Sequence, residues 1–338
     1  MSSLYRTSFV AGCSRLSCLG LLGLALSAAA VPISALAADP APAPASAPTP
    51  AERAPIMERS EEDAQALART LPAAEQVQLQ AGSDNFLALW RPANSAEGNG
   101  VVIIVPGTGE TADWPQAVGP LRRKLPDAQW ASLSLTVPDL LSDSPRPRPV
   151  DSTPKPTEST SQSTPPDANA PVEQAAAADA DPGDVSAAAD SPDEQSDADA
   201  QRVFARIDAG IAYAQTQKAR SIVLLGHGSG AYWATRYLTE RQPSRAQKLV
   251  MVAARVPQGA PQALDQLTPQ LKVPAVDIFY GDNGAASRTA QSRLQASKRV
   301  PGSQYRQINL TVLPGDPQAE QEQLYRRVRG WLSPDKDL

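Results

Sequence analysis

The chain has 338 residues, of which 41% are hydrophobic and 20% charged, and its net charge at pH 7 is −5. Its 33 prolines against 20 glycines predict that a good part of the chain lies outside a packed core. Two cysteines exclude a disulfide scaffold and a cysteine-rich zinc site, and one histidine leaves a single imidazole for acid–base chemistry.

Residues 1–38 are predicted to be a cleaved signal peptide. Arg6 and Arg15 supply positive charge, residues 16–30 form a small, uncharged apolar run, and residues 35–37 (ALA) fit the small-x-small cleavage rule. The alternative is an uncleaved anchor, but the apolar run is too short to span a bilayer comfortably. We therefore expect a periplasmic or secreted protein that meets the membrane only through this segment.

Both cysteines lie inside this segment. Cys13 and Cys18 would leave with the signal peptide, so the mature chain is expected to contain no cysteine, which is compatible with export. Residues 10–13 (VAGC) resemble a bacterial lipoprotein box, in which Cys13 would be acylated. Such a box should follow the apolar stretch, whereas most of the stretch here comes after it, so a lipid anchor is disfavoured.

Two further segments have compositions that cannot bury enough apolar surface to fold. Residues 39–54 form a proline- and alanine-rich linker, which is expected to stay extended. Residues 142–198 form an insert rich in proline, serine, alanine and aspartate, which we predict to be disordered. This insert is strongly acidic, since 14 acidic and three basic residues lie between Asp139 and Asp199. Residues 55–338 are otherwise predicted to form a single domain, which the insert interrupts.

The rest of the domain alternates between strand and helix patterns. A hairpin is predicted first, from residues 76–80 and 86–90. This alternation predicts the α/β class: a doubly wound, mostly parallel sheet in three layers, with the hairpin as its antiparallel edge and no evident cap domain. Strands are predicted at 101–105, 131–136, 221–225, 248–252, 276–280 and 308–312, and helices at 114–125, at 231–241, along Val203, Ile207 and Ile211, and along Leu324, Val328 and Trp331.

One glycine-rich turn carries a resemblance to a known family. Residues 226–230 (GHGSG) lie between a predicted buried strand and a helix, and this arrangement resembles the α/β-hydrolases, which place their nucleophile on such an elbow. The order of elements over residues 75–335, apart from the insert, is also similar. Residues 113–115 (DWP), 120–122 (PLR) and 226–233 (GHGSGAYW) are similar to one uncharacterised proteobacterial family of exported proteins, a domain of unknown function grouped with these hydrolases. The resemblance implies the fold and no particular substrate.

The elbow departs from the hydrolase pattern at its centre. The pattern G-x-S-x-G has a serine there, but alignment on Gly226 and Gly230 places Gly228 at the centre. Glycine tolerates the strained turn but has no nucleophile. A shift of one residue would make Ser229 the nucleophile, with the bulky His227 crowding the turn. The alternative register therefore stays open in the sequence.

The base and the acid of a triad are also in question. The resemblance places the histidine after the last strand, where residues 313–318 (LPGDPQ) contain none. His227, inside the elbow, is either a hydrogen-bonded turn residue or an improvised base. Asp282 follows the penultimate strand, where such hydrolases often carry their acid, but it also fits a turn residue or a helix cap.

The loop after the first parallel strand resembles an oxyanion loop. Its backbone N–H groups, with those at the start of the helix after the elbow, predict an anion-binding hollow, although a simple glycine turn would look the same. The candidate pocket residues are Gly107, Thr108, Gly109, Glu110, Gly228, Ser229 and Gly230.

No cofactor and no metal is predicted. Gly107, Gly109 and Ala112 match the spacing of a dinucleotide-binding turn, but a lone match is weak, and the preceding hairpin and the predicted export argue against it. One histidine and no mature cysteine leave only carboxylates, such as Glu110 and Asp139, which could gather in space.

Two functions remain open from the sequence. The first is an exported protein without a Ser-His-Asp triad that binds a small ligand or an envelope partner, and the second is an ester or thioester hydrolase that uses Ser229 with His227 or Asp282. The register of the elbow separates them, because only a serine at the apex can act as the family's nucleophile. No nucleic-acid partner is predicted, and the ligand and the oligomeric state stay undetermined.

Overall fold

A computed structural model describes residues 57–141, 192–281 and 284–333. The predicted signal peptide, nearly all of the predicted linker and insert, and Asp282 lie outside the described residues.

The described strands form one eight-stranded sheet in the order β1-β2-β4-β3-β5-β6-β7-β8. β1 pairs antiparallel with β2, β2 pairs antiparallel with β4, and the remaining neighbours are parallel. The predicted mostly parallel sheet with an antiparallel hairpin at its edge is therefore confirmed. The strands are β1 (Gln76–Ala81), β2 (Asp84–Arg91), β3 (Gly100–Val105), β4 (Trp130–Leu135), β5 (Ile222–His227), β6 (Ala246–Val252), β7 (Ala275–Tyr280) and β8 (Tyr305–Leu310).

Helices flank the sheet on both faces, because alternate side chains of each central strand need cover. In β3, Val101 and Ile103 face a core formed with α3 and α4, whereas Val102 and Ile104 face a core formed with α2 and α7. The helices are α1 (Arg59–Thr70), α2 (Val118–Lys124), α3 (Pro192–Thr216), α4 (Ser229–Arg241), α5 (Leu264–Leu267), α6 (Gly284–Lys298) and α7 (Pro317–Leu332).

Two predicted elements have different bounds in the structure. The helix predicted at 114–125 begins only at Val118, since Trp114 precedes a proline and is thereby biased away from helical backbone. The last strand is Tyr305–Leu310 instead of 308–312. The apolar pattern that the prediction used begins only at Ile308. Tyr305 belongs to the strand nevertheless, because its hydroxyl donates to the buried Asp277 at 2.6 Å.

The acidic insert is shorter than predicted at its carboxyl end. Residues 192–198 belong to α3 instead of to the insert. Asp197 forms an ion pair with Arg236 of α4 at 2.8 Å, and an Asp199 carboxylate oxygen accepts from Leu141 N at 2.7 Å. These acidic residues therefore have native partners, which composition alone does not reveal.

Helix α1 was not predicted. Its sequence is mostly charged and polar, and the apolar stripe that it packs on β2 consists of the short side chain Ala64 with Leu67, Ala68 and Leu71. A stripe this small gives a weak helical signal. The helix nevertheless covers Leu87 and Leu89 and brings its amino-terminal end to the loop after β3.

Candidate functional site

The turn between β5 and α4 is a strand-to-helix elbow with Gly228 at its apex. Gly228 has φ 56° and ψ −124°, a conformation that residues other than glycine adopt only under strain. Its N–H donates to Val252 O at 2.9 Å, and its carbonyl accepts from Arg255 N at 3.0 Å. Ser229 is already the first residue of α4. The structure therefore places Gly228, and not Ser229, at the apex.

The outer glycines hold the elbow against the sheet. A Cβ on Gly230 would lie 2.1 Å from Val105 O, and a Cβ on Gly226 would lie 2.3 Å from Ala231 Cα. Both distances are impossible for real side chains, so these glycines allow the helix to start directly on the strands. At Gly228, by contrast, a Cβ would meet nothing closer than Glu110 Oε1 at 3.7 Å. The apex has room for a side chain that the sequence does not supply.

The Glu110 carboxylate lies beside this apex and binds His227. Nδ1 of His227 is 2.8 Å from Oε1 and 2.7 Å from Oε2 of Glu110. Oε2 also accepts from Gly107 N at 2.8 Å. The two side chains are only 13% and 15% exposed, for His227 and Glu110 respectively. His227 is thus the hydrogen-bonded turn residue that one interpretation of the sequence expected, and its partner is a carboxylate.

The Ser229 hydroxyl is engaged by the loop after β3. Its oxygen accepts from Thr108 N at 2.6 Å and lies 2.9 Å from Thr108 Oγ1. The N–H that the oxyanion loop would offer to a substrate is therefore occupied by a side chain of the protein itself. The structure brings Ser229 to this loop and gives its hydroxyl no contact with His227.

The predicted anion-binding hollow thus contains its own acceptors. The N–H of Gly107 donates to the Glu110 carboxylate, and the N–H of Thr108 donates to the Ser229 hydroxyl. Two of the predicted donors are therefore already used by side chains of the protein. The role of the seven residues as an anion-binding pocket stays a prediction.

The predicted carboxylates do not gather around Glu110. Asp139 accepts from Ser60 N at 3.1 Å and pairs with Arg59 at 3.2 Å, so it fastens the start of α1. Arg59 also donates to Gly109 O at 3.2 Å. Within the described ranges, no group of three histidine, cysteine or acidic side chains could hold a metal. Asp282 lies outside the described residues, so its predicted role as an acid stays a prediction.

A mostly apolar pocket adjoins the elbow at the carboxyl ends of β6 and β7, where ligands of open α/β sheets usually bind. It has a volume of about 330 Å³ and is lined by Ala254, Val256, Phe279 and Tyr280, among others. Arg255, which donates its N–H to the apex glycine, also lines it. Burial, and secondarily the charge of Glu320, raises the pKa of the Tyr280 hydroxyl, which keeps it neutral.

Two contacts of the site were missed by the sequence analysis. Glu110 was named for the backbone of its loop, whereas its carboxylate is the partner of His227. Thr108 was named in the same way, and its side chain meets Ser229. The available signal was a charged residue three positions after Gly107, in the loop that follows a buried strand, but this signal cannot identify a partner 117 residues away.

Comparison with known proteins identifies a family and a fold. A family model described as "Protein of unknown function (DUF3530)" matches residues 19–334. Comparison with curated proteins returned no match. Among solved structures, a dienelactone hydrolase from Anabaena variabilis is similar with a TM-score of 0.51 at 14% identity, covering 76% of this chain and 94% of its own. A candidate dienelactone hydrolase from Klebsiella pneumoniae has a TM-score of 0.50 at 12% identity, covering 77% of this chain and 98% of its own.

These likenesses show an α/β-hydrolase-type fold, as the sequence predicted, and at such low identity they show the fold alone. In the described part of the chain, no helix has the length and apolar character needed to cross a bilayer.

Proposed function

The chain belongs to the DUF3530 family of proteins of unknown function, and from its elbow geometry we propose an exported α/β-hydrolase-like protein that binds a ligand or an envelope partner and lacks a working Ser-His-Asp triad. The observation that carries this proposal is the apex conformation of Gly228, where a hydrolase of this fold would present its nucleophile.

The neighbouring side chains support the proposal. A triad needs a hydroxyl whose proton an imidazole can take. The apex carries only hydrogen, the Ser229 hydroxyl is bound to Thr108, and Nδ1 of His227 is bound to Glu110. The apex therefore offers no nucleophile, and the one hydroxyl next to it is bound to the loop after β3 instead of to an imidazole. The cleft can still bind a ligand, because the pocket beside the elbow has space for an apolar group.

The ligand that suits this cleft is neutral and partly apolar. Alanine, valine and aromatic side chains line the pocket beside the elbow together with two arginines, of which Arg293 is paired with Asp277 and Arg255 is exposed. The Glu110 carboxylate disfavours an anion at the apex. We expect a compound such as a short alkyl ester to bind with its alkyl part in the pocket. The cleft would hold the ester intact.

Export is the second part of the proposal, and it depends on the charged, apolar and small-residue sequence of residues 1–38. Amino-terminal sequencing of the protein recovered from fractionated cells should find a chain that begins at Ala38 or Asp39. Recovery of an intact first segment in the membrane fraction would contradict the cleaved signal.

Hydrolysis is tested with the purified protein and a panel of activated esters and thioesters. We expect no turnover above background and no labelling by a fluorophosphonate, which reacts with activated serines. Ser229→Ala should behave like the unmodified protein, because Ser229 is not at the apex. Turnover or labelling that disappears in Ser229→Ala would refute the absence of a working serine.

Binding is tested with an unactivated ester, ethyl butyrate, by thermal shift. It should raise the melting temperature, since a ligand that binds only the native state stabilises it. Ala254→Trp, which fills the pocket beside the elbow, should abolish the shift. Ala73→Trp, on an exposed surface, is the matched control and should retain it. An equal shift in both variants would contradict binding at this pocket.

The Glu110–His227 contact favours a second candidate, a hydrolase of esters or thioesters. A carboxylate that holds Nδ1 of a histidine is the arrangement that orients a catalytic imidazole. Ser229 or a water would then be the nucleophile, with His227 or Asp282 as the improvised base. Under this alternative, Glu110→Gln and His227→Ala would each remove a measurable turnover, whereas under the first proposal there is no turnover to lose.

A further inference from the structure

A second pocket lies under helix α1, with walls from α1, the β1–β2 hairpin, the end of β4 and α3. Its volume is about 260 Å³. It shares none of its lining residues with the pocket beside the elbow. Its apolar lining comes from Ala64, Ala68, Leu87 and Phe86. Its polar lining comes from residues that include Ser60, Gln65, Gln78, Asn85, Thr136 and the buried Arg206.

Arg206 is a buried cation with most of its donors unused. Its residue exposure is 7%, and its guanidinium carbon lies 5.0 Å from the centroid of the Phe86 ring. Nη1 donates to Thr136 O at 2.7 Å. A guanidinium has five N–H donors, and within the described ranges the others bind no acceptor and no carboxylate forms an ion pair with Arg206.

The charge of Arg206 is poorly compensated. Desolvation by burial, followed by the nearby charge of Arg202, lowers the pKa of Arg206 to about 10, although Glu58, Asp84 and Glu61 act in the opposite direction. A buried charge without a partner is costly to a folded protein. An anion placed against this guanidinium would remove that cost, so the pocket has a physical reason to bind one.

Thr136 provides a second, independent indication. It lines the same pocket, is 5% exposed, and its hydroxyl oxygen has no hydrogen-bond partner among the described residues. Buried hydroxyls nearly always have a partner. The carbonyl of the same residue accepts from Arg206, so the unpaired hydroxyl belongs to the residue that the guanidinium already contacts.

The surroundings define the class of that ligand. One guanidinium neutralises one negative charge, and its fork matches the two oxygens of a carboxylate. Glu61 also lines the pocket, and Glu58 and Asp84 lie near enough to act on Arg206, so a ligand with one negative charge suits this site better than a phosphate dianion. The volume corresponds to roughly nine water molecules at ~30 Å³ each, so only a small molecule fits. Ala64, Ala68 and Leu87 offer its body apolar contacts beside the polar groups of the lining.

We propose that the pocket under α1 binds a small monocarboxylate with an apolar body, its carboxylate on Arg206 and Thr136 and its body against Ala64, Ala68 and Leu87. The site is separate from the elbow, so this proposal does not depend on the function proposed there.

The probe for this site is benzoate, with benzyl alcohol as its uncharged counterpart and inorganic phosphate as a rival anion. Calorimetric titration of the purified protein should show that benzoate binds, and that benzyl alcohol and phosphate each bind at least tenfold more weakly. Benzyl alcohol that binds as well as benzoate, phosphate that binds more tightly, or a protein that binds none of the three would overturn the proposal.

Variants locate the binding. Arg206→Met keeps the buried stem without the charge and should weaken benzoate binding at least tenfold, and Thr136→Val should weaken it several-fold. Arg306→Met, on the exposed surface of β8, is the matched control and should bind as the unmodified protein does. Should Arg206→Met fail to fold, Ala64→Leu, which fills the pocket, gives the same test. Benzoate binding that survives Thr136→Val together with Arg206→Met or Ala64→Leu would refute the site.

Discussion

Substitution of two elbow glycines, Gly228 and Gly230, gives the sharpest test of the structure, because they are glycines for different reasons. Gly228→Ala introduces a Cβ whose nearest neighbours are Glu110 Oε1 at 3.7 Å and Gly107 Cα at 3.8 Å, which are ordinary contacts. Its cost is therefore limited to backbone strain at φ 56°, about 1–3 kcal/mol. Loss of unfolded-state entropy returns about 0.4–1 kcal/mol.

The expected net loss for Gly228→Ala is thus about 1–2 kcal/mol in the free energy of unfolding. For a domain of this size that corresponds to a fall of roughly 2–8 °C in melting temperature. Gly230→Ala would place its Cβ 2.1 Å from Val105 O and 2.4 Å from Pro106 O. Neither backbone oxygen can move without disturbing β3, so the loss there should be clearly larger.

Urea unfolding followed by circular dichroism measures both variants against the unmodified protein. Gly228→Ser should lose about as much stability as Gly228→Ala, since both add the same Cβ. Equal losses at 228 and 230, or a larger loss at 228, would refute the assignment of Gly228 to an open apex and Gly230 to a tight helix–strand contact.

Three further predictions follow from contacts elsewhere in the fold. Asp277, fully buried in β7, accepts hydrogen bonds from Arg293 and Tyr305. Asp277→Ala should therefore lower the free energy of unfolding by about 3–5 kcal/mol, because it leaves Arg293 unpaired. Urea unfolding should show most of this loss restored in Asp277→Ala/Arg293→Met, and a loss below about 1 kcal/mol in the single variant would contradict the pairing. Hydrogen bonds from Lys124 and then Arg326 lower the pKa of Glu322 from 4.5 to about 2. Ionised Glu322 therefore stabilises the folded state above pH 4.5, and this stabilisation is lost as the pH falls towards 2. A carboxyl NMR titration should find the low midpoint, and Lys124→Met should raise it. An unchanged midpoint in Lys124→Met would exclude Lys124 as the cause. Replacement of residues 143–191 by a short glycine–serine linker should leave the melting temperature nearly unchanged, but removal of 143–197 should lower it through loss of the Asp197–Arg236 pair; equal melting temperatures for the two deletions would show that the start of α3 adds no stability.

Periodicity and composition were enough to predict the sheet. Buried parallel strands such as β3 and β5 consist almost wholly of branched apolar residues, and a short run of this kind next to a glycine turn is typical of a strand covered on both faces. The prediction failed where polar side chains are buried in partnership. Tyr305 at the start of β8 and Asp197 in α3 look solvent-exposed in sequence, because their partners are distant in the chain.

The candidate site shows the same division. The spacing of Gly226 and Gly230 favoured Gly228 at the centre of the elbow, and the backbone packing that requires both glycines explains why that spacing was informative. The side-chain pairing of Glu110 with His227 could not be predicted. It arises because β3, which precedes Glu110, and β5, which ends at His227, are neighbours in the sheet, and the sequence does not reveal the strand order. Arg206 was not recognised either, since the amphipathic pattern of α3 gives no sign that its guanidinium is buried.

The hydrogen bond between Leu141 and Asp199 brings together two points of the chain that are 58 positions apart in sequence. A passenger domain or a fluorescent label introduced between residues 142 and 191 would join the fold at Leu141 and at the start of α3, whose Asp199 contacts Leu141. The protein therefore has a natural attachment position for tags, at which its route through the cell could be followed without altering the sheet.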